Sequence, residues 1–235
     1  MTDLFNPTSE HRALRELVRS FTEREVDPQA ESFDHAERFN IELFRQLGDL
    51  GLLGITVEER FGGSGLDPVA AVIAHEELSA ADPGFALAYL AHSMLFANNL
   101  QVNGNDEQRS KYLPDACTGR TVCGMCMTEP AAGTDVLGMQ TTATKRGDRY
   151  VLNGAKMWIT NGAVSDTELG DTFLVYARIE GQPRNQLSMF IVEKGFSGFS
   201  LGQKIKGKLG MRASTTAELV FEDCDVPPEN LVGSE

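Results

Sequence analysis

The sequence predicts an α+β chain, with an all-helical N-terminal domain over residues 1–118 followed by a β domain over residues 119–235. Three observations predict it. Apolar residues recur at helical spacing up to about residue 118, and beyond it they alternate with polar ones. The dipeptides Gly147-Asp148 and Asn153-Gly154 then read as tight turns between short alternating runs. Strands joined by hairpins of this kind suggest a small antiparallel barrel or sandwich, and the barrel is the form expected. The change of period near Thr118-Gly119 marks a change of architecture and not a flexible linker.

In the helical half, Leu14, Leu17, Val18 and Phe21 form one apolar stripe, ending near Pro28. Ile41, Phe44, Leu47 and Leu50 form a second, closed by Gly51 and Gly54 as left-handed caps. Asp67-Pro68 opens a helix over 68–78, with Asp as N-cap and Pro in the first helical position. Pro83 and Gly84 interrupt the pattern before an Ala/Leu/Met-rich helix over 85–102. Asn105 and Gln108 are spaced as a capping box for a last short helix, ending before Pro114. Strands are expected over 121–127, 140–145, 149–152, 156–160, 173–179, 187–192 and 217–222.

Composition narrows the partners. With 235 residues, 41% apolar and 23% charged, the chain can bury a core and matches soluble globular proteins. No stretch approaches the run of about 18 apolar residues that a membrane span requires. Met1-Thr2-Asp3-Leu4-Phe5 has no basic segment before an apolar one, so no export signal is visible. The expected compartment is the cytoplasm, or the mitochondrial matrix if a transit peptide has been removed. A net charge of −13 argues against nucleic acid or an anionic membrane as partner, although local donors can still bind a phosphorylated ligand. Cys123-x-x-Cys126 lies in a strand-like run, where residues three apart face opposite ways, and no second pair follows at zinc spacing. Reduced thiols and no metal are expected.

Two stretches carry chemistry. In Met125-Cys126-Met127-Thr128-Glu129-Pro130-Ala131-Ala132-Gly133-Thr134-Asp135 a strand runs out into small residues. Such an exit frees backbone N–H groups for a pyrophosphate or a polarised carbonyl, or is simply a turn. In Asn153-Gly154-Ala155-Lys156-Met157-Trp158-Ile159-Thr160-Asn161-Gly162, Trp158 and Thr160 share one face of a strand. An indole beside a hydroxyl suits a planar heteroaromatic ligand; the alternative is a Trp in the barrel core.

Together these stretches resemble the acyl-CoA dehydrogenases, flavoenzymes that form the α,β double bond of acyl-CoA thioesters. Similar to that family too are Phe61-Gly62-Gly63-Ser64-Gly65-Leu66-Asp67, Lys111-Tyr112-Leu113-Pro114, Lys208-Leu209-Gly210-Met211-Arg212 and Phe221-Glu222-Asp223-Cys224-Asp225-Val226-Pro227. The resemblance runs from about residue 9 to the end and is nearest in character to isovaleryl-CoA and short branched-chain members.

The resemblance implies FAD as cofactor, lying along Met125, Cys126, Met127, Thr128, Gly133 and Thr134. It places Thr128 at the pyrimidine edge of the ring, Thr134 on a FAD phosphate and near the thioester substrate, Trp158 beside the flavin with Ile159 adjoining, and Thr160 at flavin N5. Met125 departs from the aromatic residue of several relatives, which leaves it a backbone role. Glu129 matches a structural position. Ala91-His92-Ser93-Met94 is similar to a helix that lines the acyl pocket in isovaleryl-type members, and His92 is not assigned a catalytic role.

The family's Glu base lies in a C-terminal helical bundle that would begin where these residues stop. No catalytic residue is therefore assigned, and the chain alone is expected to be inactive. The resemblance also implies an acyl-CoA substrate, electron-transferring flavoprotein as acceptor and a homo-oligomer in the full-length form. An acyl-CoA oxidase, a short subunit completed by a partner, and a binding module without flavin remain as alternatives. The loop 61–65 reads as a tight connection or a phosphate cradle. Lys204, Lys206, Lys208 and Arg212 read as a solvated strand edge, or as a contact with CoA phosphates or a partner domain.

Overall fold

Helices start where a side chain can accept the first free amides. Thr8, Asn40, Asp67, Asp82 and Asn105 each cap the helix that follows. In the computed structural model, which describes residues 5–183 and 186–234 and so leaves out the segment Met1–Leu4 read for an export signal, these caps open α1 (Ser9–Phe21), α3 (Ile41–Asp49), α4 (Pro68–Ala81), α5 (Pro83–Leu90) and α7 (Asp106–Cys117). Two further helices, α2 (Asp27–His35) and α6 (Asn99–Asn103), continue from wide π-type turns at Thr22–Val26 and Ala91–Asn98. The capping box at Asn105 and Gln108 is made in both directions, at 2.8 and 3.1 Å.

Of three prolines expected at helix ends, Pro83 marks the interruption as predicted, whereas Pro28 and Pro114 do not end their helices. Pro28 sits in the first turn of α2, so the chain bends and continues to His35. Pro83 opens α5 behind its Asp82 cap, where a missing N–H costs nothing. Pro114 lies inside α7, which runs on because Leu113, Ala116 and Cys117 are buried in the core. Of the two glycines expected to cap α3, only Gly51 is left-handed, with φ 73°. Gly54 is a packing position, since a Cβ there would overlap the Cys117 sulfur.

The β half contains β1 (Cys123–Cys126), β2 (Thr142–Arg146), β3 (Arg149–Thr160), β4 (Thr172–Ile179), β5 (Ser188–Glu193), β6 (Phe199–Lys204), β7 (Thr216–Val226) and β8 (Leu231–Val232). Gly147-Asp148 does turn β2 into β3. Asn153-Gly154 does not turn: it is a bulge within β3, where Asn153 exchanges two hydrogen bonds with Asp223 of β7. The expected small antiparallel barrel is also corrected. The sheet runs β6-β7-β3-β2-β4-β5-β8, with β1 beside β4, and β4 pairs in parallel with both β1 and β2. Among the described residues no pairing of β6 with β8 closes it.

One core cluster is helical, around Phe44, Leu47, Phe85 and Tyr89, and one lies against the sheet, around Phe173, Phe190 and Phe221. A third is shared, with Phe61, Phe96 and Leu113 packing against Cys123, Leu174 and Ile191. Strand β1 is therefore buried on both faces, with Cys123 in the shared cluster and Cys126 in the sheet cluster, as opposite-facing residues require. All four cysteines are free and buried, and burial pushes the Cys117 thiol up to about 11 and Cys224 up to about 12.

Candidate functional site

The two chemistry-bearing stretches meet through hydrogen bonds, one of them between main chains. The Met157 amide of β3 donates to the Thr128 carbonyl, just beyond β1, at 2.9 Å. Between Lys156 and Ile159 the β3–β7 register slips by one residue, because Lys156 faces Leu219 while Ile159 faces Ala217. Within this bulge Trp158 takes φ 64°, a left-handed conformation that costs a bulky residue energy. The bulge re-aims its side chain, and the only Trp of the chain is 58% exposed. A Trp in the barrel core is thereby ruled out.

Around Trp158 the predicted residues divide by exposure. Met125, Met127, Thr128 and Thr160 are half-buried, while Gly133 and Thr134 are exposed. Cys126 and Ile159 have buried side chains, so only their main-chain groups can face a ligand. A Cβ on Gly133 would meet nothing nearer than the Thr128 methyl at 4.0 Å, which puts the loop tip beside Thr128 with open space before it. Met125 points to the helical half, where the Asn99 amide lies 3.9 Å from its sulfur and also bonds the Tyr176 hydroxyl. An exposed indole, two hydroxyls and an open glycine form a shallow surface that fits a flat ring with a polar edge.

Beneath this surface lies an ion pair that the sequence reading missed. Strict alternation puts Lys156 on the same face as Trp158, but the bulge separates them and Lys156 is fully buried. Its ammonium bonds Glu129 at 2.9 Å and the Met127 carbonyl at 3.2 Å. Glu129 also accepts the amides of Gln140 and Thr141. Burial acts to raise the Glu129 carboxyl, but these amides and Lys156 outweigh it and hold it below the usual range. Its place as a structural residue is thus explained by what it binds.

Buried polar side chains tie the two halves together behind the site. His92 accepts the Cys123 amide at Nδ1 and donates from Nε2 to the Ala116 carbonyl, at 3.1 and 2.9 Å. Burial lowers its pKa to about 4, so it is a neutral structural imidazole. Asn161, left-handed at φ 63°, donates to the carbonyls of both Ala88 and Cys123.

The basic run is mostly neither a free edge nor an open cation patch. Arg212 grips Asp34 of α2, Lys204 bonds Asp166 and the Glu37 carbonyl, and Lys206 bonds Asp166. The Lys208 ammonium closes its own loop onto Ser214 and Thr216. The loop 61–65 is a tight connection: the amides of Gly63, Ser64, Gly65 and Leu66 all bond carbonyls of residues 54–58, which leaves none of them for a phosphate. Grooves of about 560 and 660 Å³ lie elsewhere, beside Glu37 and Asp166 and on α4 beside Met94, and contain none of the nine predicted residues.

Comparison with known proteins identifies the family. The family description "Acyl-CoA dehydrogenase, N-terminal domain" matches residues 8–120, and "Acyl-CoA dehydrogenase, middle domain" matches 124–224. The chain belongs to the acyl-CoA dehydrogenase family. It is 43% identical over 232 residues to the short-chain specific acyl-CoA dehydrogenase of Clostridium acetobutylicum, covering 98% of this chain and 60% of that one. To the mitochondrial isovaleryl-CoA dehydrogenase of Pongo abelii it is 44% identical over 233 residues, covering 97% and 54%. The chain therefore spans little more than half the length of these acyl-CoA dehydrogenases.

Among solved structures, the acyl-CoA dehydrogenase complexed with FAD from Bacillus anthracis aligns at a TM-score of 0.87 and 40% identity, covering 97% of this chain and 38% of that one. A chain in the structure described as the electron transferring flavoprotein of Acidaminococcus fermentans aligns at a TM-score of 0.90 and 39% identity, covering 98% and 60%.

Proposed function

We propose that this chain supplies the flavin-facing part of an FAD-dependent acyl-CoA dehydrogenase, which removes the α-proton and a β-hydride from a short or branched acyl-CoA thioester. The observation that carries it is Trp158, exposed and in a left-handed conformation, one residue from the bond that joins β3 to Thr128. Burial offers no reason for that conformation, and strain of this kind concentrates at ligand sites. FAD, when bound, supplies the hydride acceptor.

In this reading Trp158 packs beside the ring, the Thr128 and Thr160 hydroxyls bond its polar edge, and Gly133 and Thr134 take a phosphate. Met125, Cys126, Met127 and Ile159 contribute main chain, and Thr134 also adjoins the thioester. The helical domain over 1–118 braces the β domain over 119–235, and no Glu of this chain is assigned as the base. Electron-transferring flavoprotein is the proposed electron acceptor.

The test is to express the 235 residues alone and extended by the C-terminal part of the Clostridium acetobutylicum relative, recording flavin absorbance and bleaching by butyryl-CoA and isovaleryl-CoA. A yellow extended protein that bleaches, beside an inactive short one, supports the reading. If neither form takes up flavin, the reading is wrong and a flavin-free binding module replaces it.

A further inference from the structure

The Glu129–Lys156 pair holds the loop after β1 with two buried charges. Apolar side chains of similar volume usually serve a core as well as a buried ion pair does, because desolvation offsets the attraction. Here the pair sits directly behind the main chain of the proposed site. The Met127 carbonyl that Lys156 bonds belongs to the same peptide as the Thr128 N–H, and that N–H makes no hydrogen bond among the described residues. The Thr128 carbonyl, on the next peptide, holds the Met157 amide adjacent to Lys156. Glu129 in turn bonds Gln140 and Thr141, so both ends of the 129–141 loop are fixed by one charge pair. A cation on a carbonyl oxygen orients its peptide plane and polarises it, which strengthens the N–H on the far side as a donor.

We infer that Lys156, held by Glu129, is a positioning residue: through the Met127–Thr128 peptide it strengthens the Thr128 N–H toward a ring that gains negative charge. This rests on the flavin reading above, since reduced flavin is the more negative form. The pair then favours reduced over oxidised FAD, an effect separate from holding the loop in shape.

Lys156→Met alone strands Glu129 as an unpaired buried charge, so the variant to use is Glu129→Gln with Lys156→Met. It removes both charges and keeps an amide oxygen for Gln140 and Thr141. The measurements, on the FAD-loaded extended protein, are the affinity for oxidised FAD and the two-electron midpoint potential, with the exposed Lys194→Met as control. The expected result is a folded double variant whose preference for reduced over oxidised FAD drops about tenfold, which is a potential about 30 mV more negative. A folded double variant with an unchanged potential overturns the inference and leaves the flavin reading standing, even if both forms bind more weakly. A wild-type protein that takes up no FAD overturns the flavin reading and this inference with it.

Discussion

The Met157 amide and the Thr128 carbonyl, 2.9 Å apart, join the end of β1 to the bulge of β3 and bring an exposed indole and a loop of small residues onto one surface. Together with the Lys156 bonds to Met127 and Glu129, this contact turns two separate sequence stretches into one candidate site.

Trp158 offers a clean probe of that site, because it is the only Trp in the chain and is 58% exposed. Titrating FAD into the protein is expected to quench its fluorescence with the same dissociation constant that flavin absorbance reports. Trp158→Phe is expected to weaken FAD about tenfold, the scale of one aromatic contact. Fluorescence unmoved by a bound flavin would place the cofactor elsewhere.

His92 predicts an acid-sensitive junction. Its folded pKa of about 4 lies below the unfolded 6.5, so between these values the unfolded chain binds a proton that the folded chain does not. The stability it contributes is full above pH 6.5 and is lost as pH falls toward 4, by about 3 kcal/mol in all. Urea unfolding from pH 7.5 to 4.5 is expected to show that slope in wild type. In His92→Gln the slope should be shallower; equal slopes in both proteins would count against a neutral buried His92.

Gly63 tests the loop 61–65 as a structural connection. A Cβ there would overlap the Val57 and Gly54 carbonyls, so Gly63→Ala is expected to cost about 3 kcal/mol in denaturant unfolding. Gly147→Ala, at φ 65° with open space around it, should cost only about 1 kcal/mol of backbone strain. If Gly63→Ala left stability intact but weakened a phosphate ligand, the cradle alternative would return.

The Arg212–Asp34 contact is the strongest of the staples formed by the basic run, since one carboxylate accepts three N–H groups at 2.7–2.8 Å. Burial opposes ionisation of Asp34, but Arg212 overcomes it and holds the carboxyl below its usual 3.8. Its stabilisation is present above the unfolded pKa and disappears as pH falls through the folded value. Asp34→Asn is expected to lose about 1 kcal/mol at pH 7, and that difference from wild type should vanish at strongly acid pH, as read by urea unfolding.

Local chemistry made much of the fold legible. Asp67-Pro68, the Asn105/Gln108 box and the Gly147-Asp148 turn act over a few residues, so their sequence neighbours suffice to place them. Two prolines misled because a helix can continue past one in its first turn, as at Pro28, or run through one where neighbours are buried, as at Pro114. Candidate site residues came from motif resemblance. Lys156 did not, because its burial depends on a one-residue slip against β7 that no alternation in β3 reveals.

The sequence by itself determined the order of a helical and a β half, the helix caps at Asp67 and Asn105, the family, and the residues proposed to face the ligand. Tertiary structure decided that Trp158 is exposed, that Lys156 is buried against Glu129, that the basic run clamps α2, Glu37 and Asp166, and that the sheet is mixed and open. The division has a physical cause. Caps, turns and periodicity are set by interactions between residues close in the chain, whereas bulges, strand partners and ion pairs between segments are chosen by contacts that exist only once distant residues meet.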